Sequence, residues 1–137
     1  MAYQFAGFFI KGKTYQFLEL PSNAVVRQIT SPFDGVGIRL PAYIGQTVTT
    51  EDVLQLSKSI GVSQSAEWIF IQYDCFGGQI DFVSGMTCSQ ADASPYKEDS
   101  SYDTVRQSFL NLMQSFGVDH ENAINFLPFK RGFWGDK

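Results

Sequence analysis

The chain has 137 residues, of which 44% are hydrophobic and 18% are charged, and its formal net charge at pH 7 is −4. This length is typical of one domain, and the high apolar content excludes an intrinsically disordered chain. The amino terminus lacks a basic run followed by an apolar stretch, and no apolar run approaches the roughly 18 residues of a membrane span. We therefore expect one cytoplasmic domain over residues 1–137, without contact to a membrane.

The amino-terminal part of the chain is predicted to form four short strands. Aromatic and aliphatic residues fill 5–10 and 14–20, and the Gly-containing break at 11–13 between them is typical of a hairpin. Ranges 24–29 and 35–40 are also of strand type, and prolines bracket the second of them. These elements favour a sheet built from hairpins.

Two helices are predicted from capping residues and apolar spacing. Thr49 precedes two early carboxylates and Gly61 follows the last apolar position, which predicts a helix over 50–60. The second helix is expected to be capped by Ser100 or Ser101 and to end before Gly117. Its apolar positions are Val105, Phe109, Leu112, Met113 and Phe116. We expect an α+β fold in which both helices pack on one face of a mostly antiparallel sheet.

The clearest hairpin is predicted around Gly77 and Gly78, which tolerate the positive φ angles of a two-residue turn. Ranges 68–76 and 79–84 form its strands. One face is apolar and is expected to meet the core: Ile69, Ile71, Tyr73, Cys75, Ile80 and Phe82. The other face mixes aromatic and polar residues and is expected to be accessible: Trp68, Phe70, Gln72, Asp74, Phe76, Gln79 and Asp81.

The same register places Asp74 directly opposite Asp81, where the carboxylates repel each other by roughly a few tenths of a kcal/mol. This cost favours a compensating cation. The pair therefore suggests an acidic site for a basic partner, a divalent metal site or an acid–base pair. Two solvated aspartates beside a turn are the simpler interpretation, because a carboxylate pair is a weak catalytic signal without a positioned base or nucleophile.

Charge is distributed unevenly along the chain. Residues 1–66 carry five basic and four acidic groups, net +1, whereas residues 67–126 carry nine acidic and two basic groups, net −7. Part of this acidity lies in 86–99, which lacks periodicity and is predicted to be an exposed loop. A concentrated negative surface accelerates encounter with basic proteins and disfavours nucleic acid. Many soluble proteins, however, are acidic without such a role.

Other chemistry-bearing residues give weaker signals. Cys75 and Cys88 are expected to be thiols, because one pair without secretory features is poor support for a disulfide. They lack CxxC spacing and His120 is the sole histidine, so neither a structural metal nor a thiol–histidine catalytic pair is expected. The aromatic segment 126–137 either folds back over the core, which we favour, or inserts into a partner.

These observations favour a non-enzymatic binding module that inhibits a basic protein, such as an immunity protein that neutralises a toxin domain. No cofactor and no catalytic residue is expected. The candidate partner-binding residues are Trp68, Phe70, Asp74, Phe76, Asp81, Asp92, Glu98, Asp99 and Asp103. The alternative is a small enzyme or small-molecule-binding domain with a pocket between sheet and helices, using Asp74 and Asp81 with Tyr73 or His120.

Overall fold

The computed structural model describes residues 2–12, 17, 19–62, 66–76, 79–90, 92–129 and 133–134, which form seven strands and three α-helices. The strands are β1 (Ala2–Lys11), β2 (Val25–Ile29), β3 (Gly35–Arg39), β4 (Glu67–Phe76), β5 (Gln79–Ser89), β6 (Asp92–Ala93) and β7 (Lys97–Asp99). The helices are α1 (Thr50–Ser59), α2 (Val105–Ser115) and α3 (His120–Ile124), with 3-10 turns at Pro41–Tyr43 and Leu127–Phe129.

All seven strands belong to one antiparallel sheet with the order β2-β3-β1-β4-β5-β6, and β7 also pairs with β5. The α+β class with a mostly antiparallel sheet is therefore confirmed. The predicted hairpin between 5–10 and 14–20 does not form along residues 7–10 of β1. There β3 pairs with one edge of β1 and β4 pairs with the other edge. Thr14, Tyr15, Gln16 and Leu18 of that predicted second strand lie outside the described residues.

The two central strands are apolar on both faces. Successive side chains of a strand point to opposite sides, and in β1 Phe9 is buried on one side while Phe8 is buried on the other. In β4, Ile69 and Phe70 divide in the same way. Two layers are needed to cover such strands. We call the side that α2 and α3 cover the α2 face, and the opposite side, covered by α1, the α1 face.

The prediction that both helices pack on one face is therefore wrong. α1 buries Val53 and Leu56 on the α1 face, together with its C-cap residue Ile60. α2 buries Phe109 and Met113 on the α2 face. The physical reason is the apolar composition of β1 and β4, which one helical layer cannot cover. No helix in the described part of the chain is both long and apolar enough to cross a membrane.

Local signals set the helix ends. At the start of α1, the Thr49 hydroxyl accepts from the backbone N–H of Asp52 at 3.1 Å, and the Asp52 carboxylate accepts from the Thr49 N–H at 2.9 Å. Gly61 and Gly117 end α1 and α2 with a φ of +88° each. The expected cap at Ser100 or Ser101 is wrong, since Thr104 holds the N-cap position of α2.

The carboxyl-terminal aromatic residues fold back over the α2 face, as favoured from the sequence. Trp134 is 4% exposed, and its indole N–H donates to the Pro128 carbonyl at 2.9 Å. Its ring lies so close to Gly37 that a Cβ there would stand 2.7 Å from it. Phe126 and Phe129 are buried in the same cluster. Phe126, Phe129 and Trp134 are therefore part of the core.

The predicted exposed loop over 86–99 is wrong. Met86 and Cys88 are buried residues of β5, and the chain then forms the short edge strands β6 and β7. Ser94, which lies between β6 and β7, attaches this connection to β5, because its hydroxyl accepts a hydrogen bond from the Thr87 N–H at 2.9 Å. Such short strands carry little apolar patterning, since each has only a few residues and most of them face solvent.

Candidate functional site

The β4–β5 hairpin contains a bulge that the sequence did not reveal. A two-residue turn predicts that Phe76 is opposite Gln79 and Cys75 is opposite Ile80, and both pairs form. The register then shifts by one residue, so that Phe82 rather than Asp81 is opposite Asp74. The predicted direct opposition of the two aspartates is wrong, because Asp81 is the extra residue of the bulge. The turn residues Gly77 and Gly78 lie outside the described part of the chain.

The bulge also changes the direction of Phe82. Residues directly opposite each other in an antiparallel pair carry their side chains on the same face. Phe82 therefore lies beside Asp74 on the α1 face and not in the core face predicted for it. Bulges commonly redirect a side chain in this manner and are over-represented next to functional sites.

A recess lies next to Asp74 on the α1 face. We call it the Asp74 recess, and it has a volume of about 320 Å³. It is lined by the segment that leads into α1, by side chains of β4 and β5, and by the chain around β7: Gly45, Gln46, Thr47, Val48, Gln72, Asp74, Phe82, Tyr96 and Glu98. Two carboxylates and two aromatic rings thus meet in one concavity.

Partly buried hydrogen bonds stabilise the walls of this recess. Gln72 is 3% exposed, and its side chain accepts from the Gly45 N–H at 3.2 Å and donates to the Gln46 carbonyl at 2.8 Å. The hydroxyls of Ser84 and Tyr96 are 2.5 Å apart, and the Tyr96 N–H donates to the Thr50 hydroxyl at 3.0 Å. Ordered walls of this kind reduce the entropy lost when a ligand binds.

Tyr96 is not among the site residues predicted from the sequence, and Gln72 is predicted only to lie on the accessible face. A signal for Gln72 was present, because it is a lone polar residue following four apolar residues of a strand. A buried amide in such a position must find hydrogen-bond partners. No comparable signal marked Tyr96, whose neighbours are brought to it by tertiary pairing.

The surroundings of Asp74 disfavour the ionised form of its carboxyl group. Partial burial raises the pKa of its carboxyl, and the nearby charge of Asp81 raises it further, while a hydrogen bond from the Gln4 side chain acts in the opposite direction. Among the described residues, neither Asp74 nor Glu98 forms an ion pair. Within the described ranges, the two carboxylates of the recess therefore have no ion-pair partner.

The predicted acidic residues lie in β4, in β5, in the edge strands β6 and β7 and, for Asp103, between β7 and α2. We call them the acidic edge: Asp74, Asp81, Asp92, Glu98, Asp99 and Asp103. Register explains their placement, since Asp92 pairs with Ser89 near one end of β5 and Glu98 pairs with Ser84 nearer the other. Four of the six are exposed and two are half-buried. Lys97 is the one basic residue in the sequence range 72–103.

Asp99 differs from the rest of the acidic edge. Its carboxylate accepts hydrogen bonds from the Ser101 N–H at 2.8 Å, the Thr104 hydroxyl at 2.8 Å and the Ser108 hydroxyl at 2.5 Å. These donors lower the pKa of the Asp99 carboxyl, the Ser108 hydroxyl having the largest effect. Asp99 therefore organises the start of α2, and its oxygens are already engaged.

The aromatic members of the predicted site separate into two groups. Trp68 and Phe70 are 2% and 0% exposed beneath the α1 layer, so their assignment as partner-contacting residues is wrong. Phe76, at the end of β4, is 65% exposed. It is an apolar side chain left in water next to the acidic edge.

The residues of the alternative enzyme site are not gathered in one place. Tyr73 lies on the α2 face, where its ring stacks on Phe129 at 4.6 Å and burial raises the pKa of its hydroxyl. His120 begins α3 and its Nε2 is 3.1 Å from the Gln114 side-chain oxygen. Both are therefore separated by the sheet from the Asp74 recess.

The two cysteines and the other residue types that can bind metals are also not gathered into one site in the described part of the chain. Cys75 packs on the α2 face and Cys88 on the α1 face, so the sheet prevents a disulfide between them. Within the described ranges, no three side chains of His, Cys, Asp or Glu are grouped as metal ligands.

Comparisons with known protein families, with characterised proteins and with solved structures gave no match to this chain.

Proposed function

We propose that this chain is an acidic protein-binding module that docks a basic protein on its β5 side and inhibits it, as an immunity protein inhibits a toxin. The observation that carries the proposal is the acidic edge itself, where six carboxylates and a single lysine fall within residues 72–103. Opposite charge on a partner accelerates encounter and sets orientation, while like-charged surfaces are excluded.

The exposed Phe76 supports docking rather than mere solubility. A side chain with 65% of its surface in water contributes little to the fold. Aromatic residues are common anchors at the centre of protein interfaces, and a rim of charged groups commonly surrounds them. Phe76 beside Asp74 and Asp81 has this composition.

The test is a comparison of two charge-reversed variants in affinity capture from the native host. The edge variant carries Asp81→Lys with Asp103→Lys, and neither residue lines the Asp74 recess. The control variant carries Glu19→Lys with Asp34→Lys, which are exposed residues outside the acidic edge and give the same change in net charge. We expect one basic protein to be retained by the unmodified chain and the control and lost by the edge variant.

Inhibition is the second measurement. The captured protein should lose its own activity when the unmodified chain is added, whereas the edge variant at equal concentration should leave that activity unaffected. Absence of any basic protein that separates the edge variant from the control would contradict the proposal.

A further inference from the structure

We infer that the Asp74 recess receives one arginine side chain of the basic partner, with its guanidinium between the carboxylates of Asp74 and Glu98. This inference rests on the proposed function and names the group by which the partner is held. It is carried by the shape of the recess, the pairing of its strands and the chemistry of its walls.

Strand pairing sets the separation of the two carboxylates. Ser84 of β5 pairs with Gln72 on one side and with Glu98 on the other, and Asp74 lies two residues beyond Gln72. Neighbouring strands are about 4.8 Å apart, so the Cα atoms of Asp74 and Glu98 lie roughly 10 to 12 Å from each other. One cation can therefore stand between the two side chains and interact with both.

The aromatic walls favour a guanidinium over an ammonium group. Phe82 enters the recess because of the bulge, and Tyr96 is held by the Ser84 hydroxyl and by its ring contact with Phe70. A guanidinium is planar, is weakly hydrated and stacks on aromatic rings, whereas the ammonium of lysine is compact and strongly hydrated. The guanidinium also presents several N–H donors to carboxylates in a fixed geometry.

The volume and the charge of the recess agree with this occupant. A volume of about 320 Å³ lies at the small end of the range for sites that take drug-sized ligands, and it suits a single side chain. Asp74 is partly withdrawn from water, which raises its pKa, and its neighbour Asp81 adds a like charge. A cation placed in the recess offsets both effects.

The experiment uses peptides as probes of the full-length chain. The binding of acetyl-Gly-Arg-Gly-amide is followed by the NMR signal of the Gln72 side-chain amide, which lines the recess. We expect saturable binding with a dissociation constant of roughly 1 to 10 mM, because only one side chain of an interface is present. The same peptide with citrulline keeps the shape and loses the charge, and it should bind at least tenfold more weakly. The lysine peptide should be weaker than the arginine peptide.

Variants locate the binding. Asp74→Asn and Phe82→Leu should each weaken the binding of the arginine peptide at least fivefold. Asp34→Asn, at an exposed position outside both the recess and the acidic edge, should leave that binding unchanged. Equal binding of the citrulline peptide, or equal weakening by Asp34→Asn, would overturn the inference, as would the lack of saturable binding.

The outcome is separable from that of the proposed function. If the edge variant loses its basic partner while the arginine peptide fails to bind, the recess is not the anchor and docking still stands. If the peptide binds in the recess but no basic protein distinguishes the edge variant, the recess is a cation site and the docking proposal fails.

Discussion

Asp74 and Asp99 belong to the same acidic edge, yet their carboxyl groups are perturbed in opposite directions. Burial and the charge of Asp81 raise the pKa of Asp74, whereas hydrogen bonds led by that of Ser108 lower the pKa of Asp99. The ionised carboxylate of Asp74 therefore destabilises the folded state, whereas that of Asp99 stabilises it. The two are distinguished by the pH dependence of stability.

Asp74→Asn should stabilise the fold at neutral pH. The pKa of Asp74 is higher in the folded chain than its usual value of 3.8, so the folded state holds the proton more tightly. Stability attributable to this group is greatest below pH 3.8 and falls as the pH rises through the folded pKa. We expect a gain of less than about 1 kcal/mol at pH 7, because the site is partly solvated. Urea unfolding at pH 7 and pH 3 measures it.

The gain from Asp74→Asn should disappear at pH 3, where aspartate at this position is itself protonated. Asp92→Asn is the matched control on the exposed part of the same edge. If Asp74→Asn instead lowers stability at pH 7, the ionised Asp74 carboxylate stabilises the fold. Such a result would contradict the inference that a bound cation offsets an unfavourable charge at this position.

Asp99→Asn should have the opposite effect. Because the folded pKa of Asp99 is lowered, its contribution to stability is present above its usual pKa and is lost as the pH falls through the folded value. The variant should be less stable at pH 7, and the difference should close on acidification. Circular dichroism of thermal unfolding across this pH range provides the measurement. A difference that persists at low pH would mean that lost packing, and not the ionised acceptor, is responsible.

Sequence patterns predicted most of the elements, because their signals are local. The capping of α1 by Thr49 and the glycine ends at Gly61 and Gly117 are read within a few residues. The assignment of faces failed, although a signal was present. Ranges 8–10 and 68–71 are uninterrupted apolar runs, which are typical of strands covered on both faces. A face of β4 that holds Trp68 and Phe70 therefore required a second helical layer.

The bulge at Asp81 had no comparable signal. A two-residue turn and a bulged hairpin differ by one residue of register, and tertiary contacts decide between them. Here the bulge moves Phe82 to the α1 face, while Val83 comes opposite Tyr73 and is buried on the α2 face. Strand alternation alone therefore predicted the acidic character of this site and missed its recess.

Gly85→Ala should be strongly destabilising. A Cβ at this position would lie 2.3 Å from the Phe70 carbonyl oxygen and 2.9 Å from Cδ2 of Leu112. The carbonyl belongs to the β4–β5 ladder and cannot move without breaking it, so we expect a loss of about 3 kcal/mol in urea unfolding.

The control is Gly45→Ala, where a Cβ would have no heavy atom within 4 Å but φ is +79°. Its cost should be about 1 kcal/mol, from backbone conformation alone. Equal losses for the two variants would indicate that α2 and β4 do not approach β5 as closely as described.

Gln72→Leu should loosen the segment that forms the rim of the Asp74 recess. The variant removes the acceptor of the Gly45 N–H and the donor to the Gln46 carbonyl, which we expect to cost about 1 to 2 kcal/mol. Hydrogen exchange at the Gly45 amide should become faster. Gln28→Leu, at an exposed position of β2, is the control and should leave that amide unchanged. Unchanged exchange in Gln72→Leu would show that the rim is held by other contacts.

Trp134→Ala and Phe76→Ala separate the core from the docking surface. Trp134 is buried against Phe5 and Gly37, so its truncation should cost about 3 kcal/mol. Phe76 is largely exposed, and its truncation should change stability by less than about 0.5 kcal/mol while weakening retention of the basic partner. Thermal unfolding and capture, performed on both variants, give the two quantities. If the carboxyl-terminal segment instead inserted into a neighbouring protein, Trp134→Ala would abolish capture at nearly unchanged stability, and Phe76→Ala would leave capture intact.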